Sequence, residues 1–148
     1  MSGSSEYKIS DRYANDEGRV FLTGVQALAR LPIQQLRADR QQGLNTAAFL
    51  AGYPGSPLAG LNFEIDRAKS VVSELPITHR PVLNEEHGAT AVMGSQLAAE
   101  QPDCVYDGIV GLWYGKAPGL DRAGDALRHA VFAGTSRQGG AVAIVGDD

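Results

Sequence analysis

An α/β fold, with a mostly parallel sheet and helices on both of its faces, is what this sequence predicts, on three observations. Short runs of strand-forming or small apolar residues alternate with longer stretches of helical period. Each strand-like run ends in turn formers, and no internal repeat or linker interrupts the alternation. A chain of 148 residues that is 43% hydrophobic and 20% charged can bury the core such a fold needs within one domain.

The elements follow in order. Residues 1–18 are polar and read as an N-terminal extension, which leaves 19–148 as the domain. A helix is expected over Gly24 to Gln42, closed by Gly43, then a strand over Thr46 to Ala51. The next helix, Leu58 to Leu75, places Leu61, Ile65, Ala68 and Val72 on one face while Asp66, Arg67 and Lys69 project elsewhere, and Pro76 ends it. Arg80 to Leu83 is read as the second strand and Glu85 to Glu100 as the third helix. Val105 to Trp113, Leu120 to Ala133 and Gly140 to Val145 complete the series as strand, helix and strand.

Composition excludes several functions. A net charge of −4 without a Lys/Arg cluster leaves no footprint for nucleic acid or an anionic membrane. No apolar leader or membrane-length run is present, so a cytoplasmic location away from membranes is expected. Cys104 is the single cysteine, so a disulfide, a cysteine-ligated metal or an iron-sulfur cluster cannot be built from this chain alone. GLWYGK at Gly111 to Lys116 has three residues between its glycines where a phosphate-binding loop needs four, and Ala117 follows the lysine. No G-x-G-x-x-G follows a strand, and Ser136 in GTSRQ lacks the second glycine of a nucleophile elbow. His79, His87 and His129 share no metal-ligand spacing and read as surface or hydrogen-bonded structural residues.

In parallel α/β folds ligands collect beyond the carboxyl ends of the strands. Here those ends are expected to carry Gly52 to Pro57, Asn84-Glu85-Glu86, Tyr114 to Gly119 and Gly146-Asp147-Asp148. Two readings stand side by side: a site shaped by rigid lips, or the tight turns that any such domain requires. The stretch VLNEEHGATAVMG sharpens the choice. With Asn84 as N-cap, Glu85 and Glu86 fall in the first helical turn, where the helix dipole alone favours a carboxylate. Yet Gly88, Ala89 and Val92 continue the face of Glu85 as a narrow apolar strip. A carboxylate at the edge of such a strip loses solvation, which favours sharing a proton with a ring nitrogen of a ligand. Glu86 points about 100° away around the helix and is read as solvated.

The segments GRVFLTGVQALARLP, GLNTAAFLAGYPGSPLAGL, LNEEHGATAVMGSQ, DGIVGLWYGKAPGLDRAGDALRHAVFAGTS and GGAVAIVGDD, in this order, resemble the amino-terminal part of the indolepyruvate ferredoxin oxidoreductase family. These are thiamine-diphosphate-dependent 2-oxoacid:ferredoxin oxidoreductases, and the resemblance runs from about Arg19 to Asp148. It implies a domain that grips the aminopyrimidine ring of thiamine diphosphate, with Mg²⁺ and the diphosphate held on a separate domain. Glu85 matches the glutamate that hydrogen-bonds N1′ of that ring and is the implied catalytic residue. Tyr53, Gly55, Ser56, Glu85, Lys116 and Gly119 are the implied cofactor-binding residues, and no metal ligand is implied in this chain. Lys116 either orients a carboxylate or caps a turn. The implied partners are an arylpyruvate or other 2-oxoacid, coenzyme A, ferredoxin and the remaining domains of the enzyme, with iron-sulfur clusters carried on those domains or on partners.

Departures from the family pattern are Glu86, where aspartate is common, Met93, where an aromatic is common, and Pro54, which is variable. The chain stops at Asp148 after its last strand, which sets the expectation of a truncated pyrimidine-binding domain, inactive alone. The alternative is a stand-alone α/β binding or assembly module without redox chemistry, the apolar helix from Glu85 to Glu100 serving as a dimer face. Exposed apolar surface on a half-site leads to an expectation of homo-oligomers.

Overall fold

The computed structural model describes residues 7–55 and 58–146. Its elements are α1 (Asp11–Ala14), α2 (Gly24–Gln41), β1 (Thr46–Gly52), α3 (Ala59–Val71), β2 (Ile77–Pro81), α4 (Glu85–Ala98), β3 (Gly108–Lys116), α5 (Ala117–Arg122), α6 (Gly124–Ala133) and β4 (Gly140–Gly146). The four strands form one parallel sheet in the order β2-β1-β3-β4. The expected α/β architecture is therefore present, with helices on both faces. Among the described residues no helix is long and apolar enough to cross a membrane.

Alternation along the strands assigns the faces. Ala48 and Leu50 of β1 and Leu112 and Tyr114 of β3 pack against Ile33 and Leu36 of α2 and Leu61, Ile65, Ala68 and Val72 of α3. The helical stripe expected for α3 is the stripe that is buried. On the opposite face Phe49, Ala51 and Trp113 meet Ala89 and Val92 of α4 and Ala126 and Leu127 of α6. Residues 19–146 hold most of this core, but the polar N-terminal segment contributes too. Tyr13 of α1 is 1% exposed and donates to Glu64 Oε2 at 2.5 Å. Arg30 and Arg37 of α2 donate to main-chain carbonyls of Arg12, Ala14 and Asn15, the free acceptors at the end of α1.

Two strand boundaries differ from the sequence expectation. The second strand is Ile77–Pro81 rather than Arg80 to Leu83. It is an edge strand, so Thr78, Arg80 and Pro81 sit exposed in it, whereas Leu83, hydrophobic but 85% exposed, lies in the following loop. The third strand runs Gly108–Lys116 rather than Val105 to Trp113. Val105 is exposed, and Asp107 ties its turn to Asn45, accepting from the Asn45 N–H at 2.6 Å. Tyr114, Gly115 and Lys116 therefore belong to the strand, and the expected loop Ala117 to Gly119 is the start of α5, with Pro118 in its first turn. The helix expected over Leu120 to Ala133 is two helices, α5 and α6, meeting at Ala123.

The Tyr13 and Tyr114 hydroxyls are both held above the ordinary tyrosine value of 10.0. Burial is the main cause in each; the Glu64 hydrogen bond adds to it for Tyr13 and the Asp66 charge for Tyr114. Both groups bind their proton more tightly folded than unfolded, so stability is complete below the unfolded value and falls as pH rises past it. Denaturant unfolding should show a free energy that declines above about pH 10, with a shallower decline in Tyr13→Phe. An unchanged slope in that variant would contradict the burial of this hydroxyl.

Candidate active site

The chain moves from β1 to β2 on one side and returns to place β3 on the other, so the strand order reverses between β1 and β3 while all strands stay parallel. The crevice beyond the carboxyl ends of those two strands is where such folds hold ligands. Gly52 pairs with Tyr114 at the end of β1, so Tyr53 leaves the sheet while Gly115 and Lys116 continue in β3 beside β4.

On one lip, Gly55 lies beside Tyr53 and beneath the side chain of Lys116. A Cβ built on Gly55 would be 3.9 Å from Lys116 Cδ and 3.9 Å from Tyr53 Cδ1. Lys116 is the last residue of β3 and the N-cap residue of α5, and its own side chain makes no cap hydrogen bond. Ser56, expected on this lip, falls outside the described residues.

The other lip is built on Glu85. Asn84 caps α4 by accepting from the His87 N–H at 2.9 Å, so Glu85 occupies the first helical position as the sequence indicated. The Trp113 indole N–H donates to the Glu85 carbonyl at 3.0 Å and fixes the helix start against β3. Gly88, Ala89 and Val92 are buried with it, forming the expected apolar continuation. Gly88 leaves room for the indole, whose Cδ1 would stand 3.1 Å from an added Cβ. Glu85 is 7% exposed, and among the described residues no hydrogen-bond donor reaches its carboxylate. Its side chain lies in a notch lined by two residues without side chains. A Cβ on Gly115 would stand 3.4 Å from Glu85 Cγ, and one on Gly119 would press to 2.6 Å from Cδ.

Glu86 differs from its neighbour in every respect. It faces solvent, with its carboxylate 3.8 Å from the Arg122 guanidinium. The first turn of α4 thus carries one exposed acidic residue and one largely buried one.

The structure brings Tyr53, Gly55 and Lys116 together on one lip and Glu85 and Gly119 on the other, joined through the Gly115–Lys116 step of β3. The residues Asp66, His79, Tyr114 and Asn62, which form a hydrogen-bonded chain on the opposite face of the sheet, were not singled out as a group from the sequence. They come from three elements, and no spacing in the chain connects them. Among the described residues no cluster of three or more His, Cys, Asp or Glu side chains could hold a metal ion.

Comparison of the chain with protein-family models, with curated proteins and with solved structures gives no match.

Close contact between Gly119 and Glu85 has a measurable signature. Gly119→Ala should cost about 1–3 kcal/mol as the added methyl forces the carboxylate aside. Combination with Glu85→Ala should recover most of that loss in a double-mutant cycle. Strictly additive effects would show that the two residues do not meet.

Proposed function

We propose that the chain is the pyrimidine-side domain of a thiamine-diphosphate-dependent 2-oxoacid:ferredoxin oxidoreductase, with arylpyruvate-type substrates. The observation that carries this reading is the place of Glu85, 7% exposed at the start of α4 with its side chain against Gly115 and Gly119. A buried carboxylate in that condition is costly unless something pairs with it. A heteroaromatic ring nitrogen is a fitting partner, because it shares a proton with the acid across a single hydrogen bond.

Each residue then has a physical role. Glu85 offers its carboxylate to the ring nitrogen across a single hydrogen bond. Trp113 and Asn84 keep it there by fixing the start of α4. Gly119 and Gly115 leave the Glu85 side chain and the Trp113 ring the space they occupy, which sets where the carboxylate stands. Tyr53 and Gly55 form the opposite wall, and Lys116 presents an ammonium at its rim, suited to an anionic group. The chemistry that thiamine diphosphate supplies when bound is an acidic thiazolium carbon, on which 2-oxoacid decarboxylation depends. The reading entails a separate domain for the diphosphate and Mg²⁺, with coenzyme A, ferredoxin and the iron-sulfur clusters met there or on partner proteins. A soluble cytoplasmic enzyme fits it.

One observation favours a second reading, an α/β binding or assembly module. The edge strand β4 has Val142 and Val145 exposed, and α6 beside it buries none of its residues, with Phe132 93% exposed. The dimer face expected on α4 is not the apolar one, since Gly88, Ala89 and Val92 are turned into the sheet.

Arylpyruvate decarboxylation, measured with the diphosphate-binding domain supplied, separates the two. Glu85→Gln should lower turnover at least about a hundredfold, the ordinary worth of a positioned acid–base group, while Glu86→Gln leaves it within about twofold. Near wild-type turnover in Glu85→Gln removes the catalytic assignment.

A further inference from the structure

Beneath α3, on the face of the sheet away from Glu85, four side chains form one hydrogen-bonded chain. Asp66 Oδ1 lies 2.8 Å from His79 Nδ1, His79 Nε2 lies 2.9 Å from the Tyr114 hydroxyl, and that hydroxyl donates to Asn62 Oδ1 at 2.7 Å. The His79 side chain is wholly buried, while Asp66 is more than half exposed. Tyr114 reaches across β1 to make these contacts because Gly52 has no side chain. A Cβ there would stand 2.6 Å from the Tyr114 ring.

Proton accounting constrains this chain. Tyr114 has one hydroxyl proton, and burial holds its ionisation above the usual range, so it stays a phenol. While that proton goes to Asn62, the tyrosine oxygen can only accept from His79 Nε2. Nδ1 faces a carboxylate and must also donate. In this arrangement an imidazolium, with an N–H at each ring nitrogen, has both of them satisfied. When the ring loses a proton to solvent, Nε2 becomes an acceptor, the Tyr114 proton turns from Asn62 to Nε2, and Asn62 Oδ1 is left without its donor.

We propose that Asp66, His79, Tyr114 and Asn62 form a proton-operated latch between β3 and the first turns of α3, closed while His79 carries two protons and released when it carries one. Asn62 lies in the first turn of α3, so release loosens the start of that helix. The groups facing the ring are few. α3 contributes Asp66, β3 contributes Tyr114, and β1 presents Leu50 opposite and no titratable side chain. Arg80, next along β2, is exposed. The latch does not rest on the cofactor reading and operates in the chain alone.

The test is a titration of the uniformly ¹⁵N-labelled chain, following the His79 ring nitrogens together with the Asn62 side-chain amide and hydrogen exchange in the first turns of α3. The Asn62 signal should move with the same midpoint as the ring, and protection of the Leu61 and Asn62 amides should fall about fivefold to tenfold on deprotonation, roughly one net hydrogen bond. Asn62→Asp keeps an acceptor and should keep the coupling, while Asn62→Leu should abolish it with the ring still titrating. A ring that titrates while Asn62 stays unmoved overturns the latch. So does a ring that holds one tautomer throughout, or loss of coupling in Asn62→Asp, which would mean that the amide donates to Tyr114.

Discussion

Two adjacent aromatic side chains near the end of β3 set the geometry on which everything else in this structure depends. Trp113 and Tyr114 point to opposite faces of the sheet, and each needs space that a glycine on another element provides. Gly88 of α4 receives the indole, and Gly52 of β1 lies under the phenol. The ring contacts are then locked by polar ends: the indole N–H to the Glu85 carbonyl, the hydroxyl to Asn62 and His79. Close packing of this kind leaves little freedom to shift, because added volume at either glycine must displace a ring or a strand.

That constraint connects the two faces. Moving β3 along its axis would carry Trp113 away from Gly88 and the Glu85 carbonyl, and Gly115 away from the Glu85 side chain. It would equally drag Tyr114 off Gly52 and open the hydrogen-bonded chain under α3. The crevice between β1 and β3 is thus held from both sides, by α4 through Trp113 and by α3 through Tyr114. Both supports lie within three residues of Lys116, at the strand end where the two lips meet.

Local features of this arrangement were legible in the sequence, and relations across the fold were not. The stripe Leu61, Ile65, Ala68, Val72 identifies the inner face of α3 because helical periodicity is a property of one segment. Asn84 as N-cap, with Glu85 and Glu86 in the first turn, follows from a preference that acts over three residues. Strand ends were less visible. Val82, Leu83 and Val105 look like strand residues by hydrophobicity, yet in the fold they lie in loops, while Arg80 and Lys116 sit in strands because their positions are at an edge or an end. Tyr13 in a polar segment gives no periodic signal at all; its burial arises from a tertiary contact with α3. The pairings of Gly119 with Glu85 and of Gly52 with Tyr114 are of the same kind, since an absent side chain has meaning only once its neighbour is known.

The two glutamates of α4 show what this tertiary information adds. From the sequence alone, the helix dipole accounts for either carboxylate, and a functional reading of Glu85 adds nothing necessary. In the fold the dipole is already served twice, by the Asn84 side chain on the His87 N–H and by Glu86, which remains hydrated beside Arg122. Glu85 is surplus to that purpose and occupies a position where a carboxylate is expensive to keep. Helix stability would be equally well served by alanine there, and the notch formed by Gly115 and Gly119 would be needless for it. A largely buried acid, two glycines packed against it and a helix start pinned by an indole hydrogen bond form one arrangement, and on the proposed reading it serves a ligand held at the carboxylate.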